Sequence, residues 1–204
     1  MNNYSKVFRA FKKNYKPVPL EVFHSNPYKA LVSTIMSART RDETTLRIAH
    51  KLFEVAPDVK KLNQLTETQI KNLIRGVGFY NTKAKYIKET SEIILKDFKG
   101  KVPNTREKLM SLPGVGRKTA NLVLNRAFNI PAIAVDTHVH KISNLLEWVK
   151  TNSPGKTEIK LMEVLPKKYW TDMNNLFVSI GQQYRSKKKL VDFLKANKLI
   201  NSQE

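Results

Sequence analysis

The residues with the clearest chemical potential lie in one run, Leu112-Pro113-Gly114-Val115-Gly116-Arg117-Lys118-Thr119-Ala120. Pro113 helps to end a preceding helix, because the residue before a proline avoids the helical region. Gly114 and Gly116 lack a Cβ, so they permit unusual dihedral angles and close approach of backbone to a ligand. The next helix is expected to start near Arg117, where the first amides have no intrahelical partner and the helix dipole is positive. Donors so placed hold a phosphate without reading a base. A tight helix–helix turn with no ligand would use the same residues. Taken alone, Lys118 is a solvated, phosphate-binding lysine. Asp136, 18 residues further on, is taken alone the N-cap of a helix starting near Thr137.

The composition narrows the class of partner. Among 204 residues, Lys and Arg number 37 against 17 Asp and Glu, a net charge of +20. Basic groups that neutralise phosphates release condensed counterions, so a polyanion is the natural partner. An anionic membrane surface or simple solubility would also accept the charge, and charge does not separate DNA from RNA. No apolar run approaches the roughly 20 residues needed to cross a bilayer. The first 20 residues carry no acidic group, as in a transit peptide, yet Tyr4, Val7, Phe8 and Phe11 follow the spacing of a packed amphipathic helix. That segment therefore belongs to the fold, and an intracellular protein is expected. Cysteine is absent, which excludes disulfides, thiolate zinc sites and cysteine-bound iron–sulfur clusters.

The elements that must position these residues are helical. Leu31, Val32, Ile35 and Met36 form one apolar stripe, and Leu46, Ala49 and Phe53 form another. Thr66 and Gln69 are spaced as a capping box ahead of Ile70, Leu73 and Ile74. Asn104 with Glu107 is placed to cap a short helix carrying Leu109 and Met110. Ala120 to Phe128 line a longer helix that Asn129 and Pro131 end. Further helical patterns cover Val139–Leu146, Ile159–Leu165, Met173–Ile180 and Leu190–Leu194. No useful strand alternation occurs, so the fold class is all-α. A weak internal echo relates Leu73-Ile74-Arg75-Gly76-Val77-Gly78 to Ser111-Leu112-Pro113-Gly114-Val115-Gly116 at an offset of 38 residues, with Lys83 following the first copy and Lys118 the second. Two copies are too few for a solenoid and read as paired helix–loop–helix elements.

The run Leu112–Ala120 resembles the hairpin of the helix-hairpin-helix DNA glycosylases. Val135-Asp136-Thr137-His138 resembles the loop and aspartate that complete their signature. Pro131–His138, Asn26-Pro27-Tyr28 and Gly78-Phe79-Tyr80-Asn81-Thr82-Lys83-Ala84 are particularly similar to endonuclease III proteins. The likeness covers about residues 6 to 184. It implies a two-lobed helix-hairpin-helix glycosylase fold with a DNA-binding cleft between the lobes. Residues 22–131 would form the central lobe, and 1–21 with 132–204 the second. It implies a base-excision-repair glycosylase with abasic-site lyase activity on oxidised pyrimidines in duplex DNA. Position by position, Lys118 becomes the amine nucleophile and Asp136 the assisting carboxylate, facing each other across the cleft. An amine can displace a base at C1′ and form an imine, and a carboxylate can steady positive charge on the sugar.

Base access requires flipping, and something must fill the gap. By the same resemblance Arg39 and Phe79 are the fillers, where many endonuclease III proteins have glutamine and leucine. Arg39 would offer several donors to the orphaned base, and Phe79 a wedge able to stack; ordinary core is the other reading of Phe79. Gly114, Val115, Gly116, Arg117 and Lys83 complete the expected DNA contacts. Most family members carry a four-cysteine [4Fe–4S] cluster near the C-terminus. Here Gly181-Gln182-Gln183-Tyr184-Arg185 runs on into Ser186-Lys187-Lys188-Lys189 without thiols, and no cluster is expected. Leu190, Val191, Phe193 and Leu194 are expected to pack in its place, and Lys187–Lys189 reads as a solvated face or a phosphate contact. The four histidines show no zinc spacing, and His138 either tunes Asp136 or simply packs. No catalytic metal is assigned. The carbonyls of Leu112 and Val115 could hold a monovalent cation, as the resemblance suggests.

A monomer acting on damaged double-stranded DNA is expected, with no membrane partner, in the cytoplasm or nucleoid, or in the nucleus of a eukaryote. One rival is a monofunctional mismatch glycosylase for uracil, thymine or adenine, which would activate water; relatives of that kind generally lack a lysine at position 118. Another is a non-catalytic helix-hairpin-helix binding module, which has no use for Asp136. The charge makes its own prediction. If about 5 phosphates are neutralised, log affinity for duplex DNA should fall against log salt with a slope near −4 to −5. A flat titration would show that the positive charge follows no DNA path.

Overall fold

A computed structural model describes residues 3–201, and these are helical without a named strand. The chain divides into two compact units, one formed by Pro19–Ile130 and the other by Met1–Val18 with Pro131–Glu204.

The continuous unit begins with a 3-10 turn at Pro19–Phe23, followed by α2 (Pro27–Ser37), α1 (Tyr4–Lys13) having preceded it in the other unit. Asn26 caps α2 by accepting from the Lys29 amide at 3.0 Å, and Pro27 occupies the first turn, where its missing N–H costs nothing. From Ala30 to Met36 every residue of α2 is buried, Ser33 and Thr34 included. A helix covered on all sides is an internal strut. It packs against α3 (Asp42–Val55), α6 (Tyr80–Asp97) and α8 (Arg117–Phe128). Between these lie α4 (Val59–Gln64), α5 (Glu67–Leu73) and α7 (Arg106–Met110). The Thr66–Gln69 capping box is formed in both directions, at 3.2 and 2.8 Å. The cap of α7 differs from expectation: Thr105 accepts from the Lys108 amide, not Asn104 with Glu107. A one-residue shift keeps Leu109 buried but leaves Met110 exposed. Asn129 ends α8 in the left-handed conformation, with φ of 52°.

In the other unit, Tyr4, Val7, Phe8 and Phe11 of α1 are all buried, as their spacing requires. They join a core with Phe177 of α11 (Trp170–Gln183), Val139 and Ile142 of α9 (Thr137–Leu145) and Leu161 of α10 (Pro154–Val164). Aromatic rings interlock there: Phe8 stacks on Tyr169 at 4.3 Å, and Phe11 meets Phe177 edge-on at 5.0 Å. The apolar pattern at Ile159–Leu165 misplaces two residues, since Ile159 and Val164 are exposed and Leu161 is the apolar side chain that α10 buries, beside Thr157 and Glu158. The last helix, α12 (Lys187–Ala196), buries Leu190, Phe193 and Leu194 in the same core and leaves Lys187–Lys189 in solvent.

One buried titratable group has a consequence for stability. His24 Nε2 is buried without a hydrogen-bond partner. Burial, reinforced by the positive Arg126, lowers its pKa from 6.5 to about 3. Between those values the unfolded chain binds the proton and the folded one does not, so stability is complete above pH 6.5 and declines as pH falls toward 3. Allowing for its partial exposure, the loss by pH 5 is about 1–2 kcal/mol. Urea midpoints at pH 7.5 and pH 5 should therefore differ less in His24→Leu than in the wild type. An equal acid shift in both would assign the effect to other groups.

Candidate functional site

The run 112–120 folds as a hairpin between α7 and α8. The Val115 amide donates to the Leu112 carbonyl at 3.1 Å, closing the turn. Thr90 Oγ1 on α6 donates to the Pro113 carbonyl at 3.3 Å, anchoring it from below. Gly114 has φ of +74°, and a Cβ there would lie 2.6 Å from the Tyr86 ring on α6. Its glycine is thus required twice, by dihedral angle and by packing. Gly116 is different. Its φ of −84° and ψ of 176° suit any residue, and a Cβ there would meet nothing within 4 Å. The expected need for unusual dihedral angles at Gly116 is therefore not met. Space on its outer side is what glycine leaves there, at the N-cap of α8.

Arg117 and Lys118 occupy the first turn of α8 and are exposed, while Val115 is buried beneath them. Gly116 has no side chain with which to cap the helix, so the amides of this turn receive no side-chain acceptor from it.

Asp136, in the other unit, is the N-cap of α9. Its Oδ1 accepts from the Val139 amide at 2.8 Å, and the side chain stays half-buried. The segment leading into it, Ala132–Val135, is buried, and Asn174 of α11 donates to the Ala134 carbonyl at 3.1 Å. Asn174 was not singled out in the sequence; a polar residue inside the apolar stripe Met173–Ile180 is the signal that could have found it. His138 packs against Gly181, where a Cβ would collide with the imidazole. That is the packing alternative for this histidine.

Arg39 and Phe79 lie on neighbouring loops of the continuous unit. Both have left-handed backbones, with φ of 54° and 58°. The Arg39 guanidinium stands 5.4 Å over the Phe79 ring. Phe79 is 62% exposed, so it is not ordinary core. Lys83 requires correction as a DNA contact. It is 6% exposed, and its Nζ donates to the Met36 carbonyl at 2.7 Å, to the Ala38 carbonyl and to Thr40 Oγ1 at 3.3 Å. An ammonium enclosed by protein acceptors is not presented to a phosphate.

Comparison with known proteins decides the family. Residues 32–167 match the model of the HhH-GPD superfamily base excision DNA repair protein. The chain is 42% identical to endonuclease III of Thermotoga maritima, covering 87% of this chain and 80% of that one. The chain belongs to the endonuclease III family. Base-excision-repair DNA glycosylase with abasic-site lyase activity is thus its enzyme class. Endonuclease III-like protein 1 of Gallus gallus is 40% identical over 76% of this chain and 57% of its own length. A non-covalent endonuclease III–DNA complex aligns with a TM-score of 0.82 at 30% identity, covering 94% of this chain and 93% of that one. A trapped endonuclease III–DNA covalent intermediate aligns at 0.80 with 31% identity, covering 89% and 84%. A thermostable thymine-DNA glycosylase, at 23% identity and a TM-score of 0.76, shares the fold.

The iron–sulfur cluster that the family resemblance implies has no fit here. Its thiolate ligands do not exist in a sequence without cysteine, and no group of His, Asp and Glu among the described residues could hold a metal ion.

The two hairpin glycines should respond oppositely to substitution. Gly114→Ala should cost about 1–3 kcal/mol, from its positive φ and the Tyr86 ring. Gly116→Ala should stay within about 0.5 kcal/mol of the wild type. Urea denaturation measures both. A destabilised Gly116→Ala would mean that the glycine serves the fold after all.

Proposed function

We propose that this endonuclease III family member removes oxidised pyrimidines from duplex DNA and cleaves the resulting abasic site through an imine on Lys118, assisted by Asp136. The observation that carries this reading is the placement of Lys118. It stands exposed in the first turn of α8, directly after a hairpin whose Gly116 faces open space. A phosphate received by that hairpin brings the DNA backbone to the amine.

The chemistry follows from the groups present. The neutral Lys118 amine attacks C1′ as the bond from C1′ to the base breaks, and the base leaves with its electron pair and takes up a proton. Opening of the sugar ring yields an imine between Nζ and C1′. Loss of a C2′ proton then expels the 3′ phosphate by β-elimination. Positive charge grows on the sugar before the amine bond is complete, and the Asp136 carboxylate steadies it. Oδ1 holds the Val139 amide, which leaves Oδ2 uncommitted among the described residues. Arg39 and Phe79 fill the space left by the flipped nucleotide, the ring as a stacking wedge and the guanidinium toward the orphaned base.

In this reading the enzyme works as a monomer and without a cluster or catalytic metal. The reading of a missing cluster is supported by a sequence with no thiol and a C-terminal helix whose apolar face is buried in the core. A monovalent cation could bind the Leu112 and Val115 carbonyls, since the Val115 amide occupies one of two lone pairs on Leu112. No helix among the described residues is long and apolar enough to cross a membrane. The enzyme acts where the chromosome is, in cytoplasm or nucleoid, or in a eukaryotic nucleus.

Borohydride supplies the test. It reduces an imine to a stable amine, so the wild type and an abasic duplex should migrate as one covalent species on a denaturing gel. Lys118→Gln should lose the adduct and strand cleavage but keep duplex binding. Asp136→Asn should keep binding and the cap, because asparagine caps as well as aspartate, while base release slows by about 100-fold or more. Base release without any adduct would indicate a water-using glycosylase, and binding with neither would indicate a binding module.

A further inference from the structure

We propose that Lys83 is a positioning residue: its buried ammonium ties the end of α2 to the start of α6, and so presents Arg39 and Phe79 as one preset tip. This rests on the reading of Arg39 and Phe79 as gap fillers given above.

The tip is made of two loops with no covalent reason to stay together. The first leaves α2 at Ser37 and turns through Arg39; the second leaves α5 and turns through Phe79 into α6. Each carries its exposed residue in a left-handed conformation, a strained choice for side chains as large as Arg and Phe. Such conformations persist when surrounding structure over-determines them. Lys83 supplies that structure. An ammonium has three donors, and Lys83 has three acceptors: the Met36 carbonyl, the Ala38 carbonyl and Thr40 Oγ1. These acceptors bracket Arg39 on both sides.

Thr40 extends the clamp to the second loop. Its Oγ1 accepts from the Gly78 amide at 3.0 Å, immediately before Phe79. The loops are so close there that a Cβ on Gly78 would lie 2.6 Å from the Arg39 carbonyl oxygen. From its own backbone Lys83 donates to the Phe79 carbonyl at 3.0 Å, as the first full turn of α6. One side chain and one hydroxyl therefore fix the residues before and after Arg39 and the backbone around Phe79. The guanidinium–ring contact at 5.4 Å is the outcome. Burial lowers the Lys83 pKa to about 8, which leaves the three-donor form in the majority at neutral pH.

A group that only stabilised the fold would affect every reaction of the enzyme alike. One that presents the tip should matter where a base must be unstacked and little where none remains. Lys83→Met should slow single-turnover release of dihydrouracil from a duplex by about 10- to 100-fold, the scale of a roughly 1 Å misplacement. Cleavage of a preformed abasic site should slow less than about 3-fold, since no base has to be flipped. In an Arg39→Ala/Phe79→Ala background the added Lys83→Met should cost nothing further on the base substrate, because there is no tip left to position. Equal loss on both substrates, no loss on either, or a further loss in that background would each overturn the proposal. If Lys83→Met gives no cooperative melt, Thr40→Val decides, with the same substrate split expected at smaller size and its absence counting against the clamp. If Arg39→Ala/Phe79→Ala itself shows no split, the gap-filling reading fails. A split there with none in Lys83→Met overturns the positioning role alone.

Discussion

A helix buried on all sides must satisfy its last carbonyls inside the protein, and the way α2 does so organises the unit around it. Met36 closes the buried stretch, and an unpaired buried carbonyl costs about 1–3 kcal/mol, whereas Ser37 and Ala38 beyond it are progressively more exposed. The Ser37 hydroxyl donates to Thr34, the Thr40 amide to Ser37, and Lys83 to Met36 and Ala38. The capping group comes from α6, 45 residues away from Ala38 in sequence. Ending α2 therefore also fixes where α6 begins, and with it the loop that carries Phe79. A structural requirement of the core sets the geometry of an exposed surface.

The two hairpins show one turn put to two uses. In the first, the Val77 amide donates to Ile74 at 3.1 Å; in the second, Val115 donates to Leu112 at the same distance. Gly76 and Gly114 both take positive φ. The third position separates them. At Gly78 the space a Cβ would fill is taken by the Arg39 carbonyl, whereas at Gly116 it is open. The first hairpin has closed on the protein's own backbone. The second leaves its outer side open. Position 83 and position 121 correspond at the same offset, and both hold buried polar groups: Lys83 clamps α2, while Asn121 receives Arg106 Nε at 2.9 Å.

Periodicity made most helices legible, because burial of one face is a local demand that repeats every few residues. Tyr4 to Phe11 and Leu31 to Met36 are examples, and so is Asp136 as an N-cap. What was not legible depends on distant partners. Lys83 reads from the sequence as a DNA contact, and nothing local distinguishes an ammonium that finds three carbonyl and hydroxyl acceptors from one in solvent. The left-handed backbones of Arg39 and Phe79 were hidden for the same reason, since neither residue type favours them. Asn174 and the cap at Thr105 were missed by smaller margins, the latter because Asn104 and Thr105 are both good caps and the register alone chooses between them.

The excess of positive charge has no counterpart inside the fold. Pairs such as Lys12–Asp172 at 2.6 Å, Lys88–Glu92 at 3.3 Å and Lys160–Glu163 at 2.8 Å are exposed on at least one side, where an ion pair is worth about 0–1 kcal/mol. A net charge of +20 opposes compaction, and such pairs do not offset it. The cores carry the stability instead, through buried aromatic and aliphatic side chains worth roughly 1.5–3 kcal/mol each. Charge that works against the folded chain is explained by what it does outside, and a phosphate backbone is where it returns a gain. A similar division runs through each unit taken by itself. In the continuous unit Gly114 and Tyr86 are committed to holding the hairpin, while Gly116, Lys118 and the Arg39–Phe79 tip are left exposed. In the other unit Asn174 and Oδ1 of Asp136 are committed to holding backbone groups at the start of α9.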